Sequence, residues 1–434
     1  MAGRAPCTVG SVTSDMPALG ASLPAPSTRR PDRPVRREPL LVAARKIAPD
    51  LIALRHALHR TPEIGLALPV TQAQILAALD GLDLEITTGT ALGSVTAVLR
   101  GARPGPAVLL RGDMDALPVH EESGETFTSE HDGVMHACGH DLHMAGLVGA
   151  ARLLAARREE LAGSVVLMFQ PGEEGFHGAR LMIEEGVLDA AGERVVAAYG
   201  VHVFSAHVPT GIVASRPGTL MAASDQLHVL VLGRGGHGSA PHLAADPIPV
   251  AAEIVLALQA AVTRQFDAHD PVVVTVGRFV AGTTDNVIPE IAELDATVRT
   301  FSPAQHAVIP ERLTRLAENI AVAHGLTAEV RYERGYPVTV NDADEVARAA
   351  RVSRELLGAG GWHDLVNPVA GAEDMSYVLE QVPGAFVFVG ASPPGVDPAT
   401  APYNHAAQAR FDDDAVPVSA AVLAGLALDR LAQG

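Results

Sequence analysis

Five short runs of near-continuous apolar residues, Ser94 to Leu99, Ala107 to Leu110, Ser164 to Phe169, Val195 to Val201 and Ala385 to Val389, recur along the chain. A strand that is apolar on both faces is a strand covered on both sides. The sheet that meets this condition is the largely buried sheet of an α/β domain, with helices packed over each face. Helical periodicity precedes the runs at Leu41 to Leu58 and falls between them at Leu142 to Leu161, Asp342 to Leu357 and Met375 to Gln381. The expected fold class is therefore α/β.

The middle of the chain has a different order. Strand Gln226 to Gly233, helix Pro249 to Phe266, strands Pro271 to Val280 and Ile291 to Phe301, helix Pro310 to His324 and strand Thr327 to Glu333 read as β-α-β-β-α-β. That is a ferredoxin-like unit, expected over residues 219–333 as an insertion between two halves, 40–218 and 334–434, of the larger catalytic domain. An edge strand in the insertion could pair across a two-fold axis, so a homodimer or homotetramer is expected, with the insertion serving as lid and dimerisation domain. Residues 1–39 mix Pro, Ser, Gly and Arg without periodicity and are expected to form a disordered extension.

Composition narrows the function. With 434 residues, 48% hydrophobic and 19% charged, the chain can bury a large core. A net charge of -18 argues against nucleic acid or an anionic membrane surface as partner. Two cysteines, Cys7 and Cys138, cannot build a disulfide framework. With no hydrophobic signal core near Met1 and no uninterrupted apolar run of bilayer length, the expected location is the cytoplasm.

The chemistry concentrates in two segments. Met135-His136-Ala137-Cys138-Gly139-His140-Asp141 and Gln170-Pro171-Gly172-Glu173-Glu174-Gly175 bring thiolate, imidazole and adjacent carboxylates into one chain. That mixture suits zinc, manganese or cobalt, and two neighbouring Glu side chains allow one to ligate while the other moves protons. Functional groups in α/β sheets gather at the carboxyl ends of strands. Asp113, Asp115, Glu173, Glu174 and His202 all follow predicted strands, and Cys138 and His140 precede a long helix whose N-terminal donors favour a thiolate.

The chain resembles the dinuclear-metal aminoacylase and carboxypeptidase family, in its branch of hippurate hydrolases, N-acyl-amino-acid amidohydrolases and auxin-conjugate hydrolases. The resemblance runs from about Leu51 to Leu431. It rests on Arg55 to Glu63, Arg111 to Pro118, His136 to Asp141, Gln170 to Glu174, Gly235 to Gly238, Asn286 to Pro289, Gly371 to Asp374 and Asn404-His405, in family order.

It implies that Cys138, His140, Glu174, His202 and His405 hold two divalent ions per subunit, with the Cys138 sulfur in the place of a bridging carboxylate. Glu173 would be the general base, and Asp115 an acid that orients a ligand. His237 would stabilise an oxyanion, in relatives from the neighbouring subunit, while Asn286 and Arg299 would recognise substrate polar groups, the guanidinium gripping a carboxylate. Asp113 falls where other branches have a metal-binding His, and His207 competes with His202 as a ligand. Two departures stand out, Ala406-Ala407-Gln408 after His405 and Phe176-His177 after Gly175.

The activity expected is metal-dependent cleavage of N-acyl-L-amino acids, small hippurate-like molecules, into a carboxylic acid and an amino acid. An exopeptidase or dipeptidase using the same site is the alternative. A metal-binding scaffold without turnover is the third reading, which the Glu173-Glu174 pair opposes.

Overall fold

The computed structural model describes residues 38–432. The expected N-terminal extension therefore lies outside the described residues, apart from Glu38 and Pro39, and so does Cys7.

An eight-stranded sheet runs, edge to edge, through Glu85–Thr88, Val95–Arg100, Ala162–Gln170, Arg103–Asp113, Ala197–Phe204, Gly384–Gly390, Val213–Ser215 and Trp362–Asp364. The four central strands, Ala162–Gln170 to Gly384–Gly390 in that order, are parallel, and antiparallel pairings flank them. Ala197–Phe204 and Gly384–Gly390 are buried at every position. This is why those runs are apolar on both faces.

Helices Leu40–Arg60, His140–Ala155, Ala343–Leu357 and Ala415–Ala432 cover one face, in a core with Leu51, Leu147, Val165 and Leu423. Gly178–Glu184 and Ser376–Leu379 cover the other, around Met168, Met182, Phe386 and Phe388. Each such buried aliphatic or aromatic side chain contributes roughly 1.5–3 kcal/mol relative to exposure. His140–Ala155 and Ala415–Ala432 approach closely because the first is notched by glycine. A Cβ on Gly146 would meet Ser419 Cβ at 2.9 Å, and one on Gly149 would meet Ala420 Cβ at 2.7 Å. Two described helices, Pro247–Arg264 and Ala415–Ala432, are long and apolar enough to cross a membrane, but the second is 78% buried inside this fold.

A second sheet, antiparallel throughout, has the order Val272–Ala281, Ile291–Thr300, Ser224–Leu232, Thr327–Tyr336. Helices Pro247–Arg264 and Pro303–Ala323 pack on it around Leu227, Val229, Ile254, Leu294 and Leu313. In Ile291–Thr300 buried and less buried positions alternate, as they do in a sheet with one covered face.

Several boundaries differ from the sequence reading. Helix Pro303–Ala323 starts well before Pro310, because Ser302 caps it by accepting from Gln305 N–H, and Pro310 is carried inside it. Helix His140–Ala155 ends before Leu161, with a short 3-10 turn at Arg158–Glu160 following. Strand Ala197–Phe204 continues through His202, which pairs with Phe388, instead of stopping before it, since Val203 and Phe204 are themselves buried.

Candidate metal and catalytic site

The carboxyl ends of the parallel strands deliver the polar groups. Gly139 bridges Cys138 to the helix that begins at His140, in the left-handed conformation (φ 86°) that glycine adopts freely. A side chain there would also strike Val203, at 2.5 Å from its Cβ. Asn404 and His405 arrive from far along the chain and are stitched in place. The Asn404 amide donates to the main-chain oxygens of Cys138 (3.1 Å) and Val203 (2.9 Å), and His405 N–H donates to Ala137 O at 2.9 Å. His405 itself is left-handed (φ 73°), a conformation that costs a non-glycine residue about 1–3 kcal/mol and is found mostly where surroundings over-determine it.

The Cys138 sulfur lies 3.3 Å from His202 Nε2 and 3.2 Å from His405 Nε2. It belongs to two three-donor sets, Cys138 with His140 and His202, and Cys138 with Glu174 and His405, each with its ligand atoms within 4.8 Å of one another. Glu174 Oε1 is 3.2 Å from His405 Nε2. The tautomers are set from behind: His140 Nδ1 donates to Asp115 O at 2.8 Å and His202 Nδ1 to Val203 O at 2.9 Å, which leaves each Nε2 facing the cluster.

These residues fit a divalent cation. His140 Nε2 is buried without a hydrogen-bond partner, although Asp113 (3.6 Å), Glu173 (3.9 Å) and Glu174 (4.0 Å) surround it. Buried polar atoms are rarely left this way unless something else completes them. Burial, with the imidazoles of His143 and His140 beside it, holds His202 well below its usual range, in the neutral form that ligates. Burial, with Glu174 beside it, pushes the Cys138 thiol up, so the helix N-terminus alone does not make it a thiolate; a bound cation would. For His140 burial works downward, and Asp113, Cys138 and Asp115 together overcome it.

Glu173 is buried beside Glu373 and Asp374, with oxygens of all three within 4.8 Å. Burial and the like charges of Glu373 and Glu174 push its carboxyl well up. The Asp115 carboxylate accepts from the N–H groups of Glu173 (2.9 Å) and Glu174 (3.0 Å), so it holds the turn that carries both. Asp113 is paired with Arg111 (2.6 Å) and His143 (2.5 Å), and Arg111 continues to Glu373 (2.8 Å) and Asp374 (2.9 Å).

A cleft of about 660 Å³ opens over these groups. Phe204, Met221, Val369 and Tyr403 form an apolar wall, and Arg299 lines it from the second sheet. Phe204 and Tyr403 stack at 5.6 Å.

Not every residue singled out from sequence arrives here. His237 and Asn286 are exposed neighbours on the short ladder Gly236–His237 with Val287–Ile288, where Asn286 O accepts from Gly238 N–H at 2.8 Å. Neither lines the cleft. His207 is exposed and belongs to none of the donor sets; its ring faces Tyr403. Conversely, the sequence reading attached no role to Glu373, His143 or Tyr336. Glu373 stands in a quoted motif, His143 follows His140 by one helical turn, and Tyr336 has no local signal at all.

Residues 109–429 match the sequence profile of peptidase family M20/M25/M40. The N-acetylcysteine deacetylase of Bacillus subtilis (strain 168) is 37% identical over 379 residues, covering 87% of this chain and 96% of that protein. Thermostable carboxypeptidase 2 of Saccharolobus solfataricus is 37% identical over 344 residues, covering 78% of this chain and 85% of that protein. The crystal structure of a dinuclear metal-binding M20 peptidase from Bacillus subtilis aligns with a TM-score of 0.76 at 33% identity, over 89% of this chain and 99% of that one.

Proposed function

The chain belongs to the M20/M25/M40 peptidase family and is a metal-dependent hydrolase of amide bonds, and from that premise we propose that it deacylates N-acyl-L-amino acids. Two divalent ions, zinc, manganese or cobalt, would be held by Cys138, His140 and His202 on one side and by Cys138, Glu174 and His405 on the other. Such ions supply Lewis acidity and lower the pKa of water.

The protein's own groups do the rest. Glu173 accepts a proton from the attacking water and passes it to the amide nitrogen as the C–N bond breaks and the acyl C–O bond forms. Asp115 fixes the turn on which Glu173 sits. Arg299 holds the amino-acid carboxylate, and the wall of Phe204, Met221 and Tyr403 receives apolar parts of the substrate. His237 and Asn286 lie outside the cleft of their own chain, so their part in the reaction requires a second copy, with residues 219–333 as the lid and dimerisation unit and the cytoplasm as location. The carboxypeptidase among the relatives keeps a second reading in play, removal of a terminal residue from an unblocked peptide.

The observation that carries the proposal is the single sulfur shared by two donor sets beside the buried carboxyl of Glu173, which neither of those two sets includes. Protein loaded with each of the three metals, assayed on N-acetyl and N-benzoyl amino acids and on free dipeptides, tests it. Turnover of the blocked substrates that disappears with chelation is the expected result. Turnover of dipeptides alone favours the second reading, and none on either class sinks both.

A further inference from the structure

One hydroxyl of the second sheet reaches the turn that carries Glu173. Tyr336 is the last residue of strand Thr327–Tyr336 and is buried. Its Oη donates to the main-chain oxygen of Glu173 at 2.5 Å and accepts from the N–H of Gly175 at 2.7 Å. Asp115 already holds the N–H groups of Glu173 and Glu174 from the large sheet. The tyrosine takes the remaining side of the same turn from the other sheet.

Its ring is fixed. His177 stands perpendicular to it at 5.0 Å and Tyr377 at 6.1 Å. Tyr377 Oη accepts from His177 Nδ1 at 2.9 Å and donates to Gly335 O at 3.1 Å. Across the ladder Tyr336 pairs with Ser224, whose hydroxyl accepts from the Arg299 guanidinium. A short chain of contacts thus joins Arg299 to the backbone of Glu173.

We propose that Tyr336 is a positioning residue: its hydroxyl sets the Glu173–Gly175 turn and ties that setting to the sheet that carries Arg299. The proposal rests on the reading of Glu173 as the proton carrier. A misplacement of such a group by a fraction of an ångström slows the chemical step without weakening substrate binding. The expected signature is therefore a loss in kcat with KM preserved.

Tyr336→Phe removes one oxygen and keeps the ring, and Tyr377→Phe removes the neighbouring hydroxyl, which does not touch the turn. Both are compared with the unaltered, metal-loaded full chain by amide hydrogen exchange of the turn, by kcat and KM on whichever amide the unaltered chain cleaves, and by melting temperature. In Tyr336→Phe the Gly175 amide should exchange about tenfold faster and kcat fall about tenfold with KM within about twofold, while Tyr377→Phe stays within about twofold on all three. Unchanged exchange in Tyr336→Phe overturns the proposal. So does a parallel loss of kcat and melting temperature in both variants, which marks a merely structural cluster. Exchange needs no substrate, so a chain inactive on N-acyl amino acids sinks the functional reading while the exchange result still decides this one.

Discussion

Two buried polar clusters meet at the start of helix His140–Ala155. Around Asp141 the chain supplies both signs of charge: Arg55 Nε reaches Asp141 Oδ2 at 3.0 Å, His59 Nδ1 reaches the same oxygen at 2.9 Å, His59 Nε2 reaches Glu121 at 3.2 Å, and Arg55 also pairs with Asp413. Around Cys138 lone pairs from sulfur, imidazole and carboxylate converge, and His140 Nε2 has no partner. One cluster is neutralised by the chain's own cations, which both reach Asp141 Oδ2 and leave only its Oδ1 without a hydrogen-bond partner. The other has donor atoms in excess of what the protein can satisfy, the arrangement of a site completed by something bound.

The contrast predicts that changes near Cys138 cost chemistry and changes near Asp141 cost folding. The largest effect belongs to Glu173→Gln, for which steady-state kinetics should show kcat reduced about 10³-fold, with metal content and melting temperature preserved. A drop in bound metal would instead make Glu173 a ligand. Next comes Cys138→Ala, in which elemental analysis should find the loss of at least one ion per subunit, with turnover down about a hundredfold or more. Full metal content in that variant would refute the shared-sulfur arrangement.

On the other side of the contrast, Asp141→Asn leaves Arg55 and His59 buried beside a neutral group and should lower unfolding free energy by about 3–5 kcal/mol in denaturant titrations. The smallest effect is a pH dependence. For His59 burial acts downward, but Asp141 and Glu121 prevail and raise it from its ordinary 6.5 to about 9. A folded-state pKa above the unfolded one means that this stabilisation is complete below about pH 6.5 and is lost as pH rises through about 9. Melting curves of His59→Gln and the parent chain should therefore converge at alkaline pH, and a gap that widens there would contradict the assignment.

Much of this could be read from residues. Apolar runs located the central strands because a strand covered on both faces admits little else, and the Cys138 and Glu173 segments carried their chemistry in residue type and spacing. Pro310 misled because proline marks helix starts, although Ser302 and Pro303 provide a better one. The role of Tyr336 lay beyond reach: it depends on the pairing with Ser224 and on the approach of two sheets, and neither leaves a periodic trace. His237 and Asn286 stood out by motif alone, and one chain does not bring them to the cleft.

The close seat of Ala415–Ala432 on His140–Ala155 bears on how the molecule is made. The helix that completes one face of the central sheet follows the other helices of that face in chain order, whereas Leu40–Arg60 precedes them. On the ribosome the apolar surface between them stays uncovered until Ala415–Ala432 has emerged, after all four central strands, and His405, ten residues before that helix, joins its partners late as well. Release of the chain before Ala415 should yield an insoluble product needing chaperone protection, rather than a shortened but working enzyme.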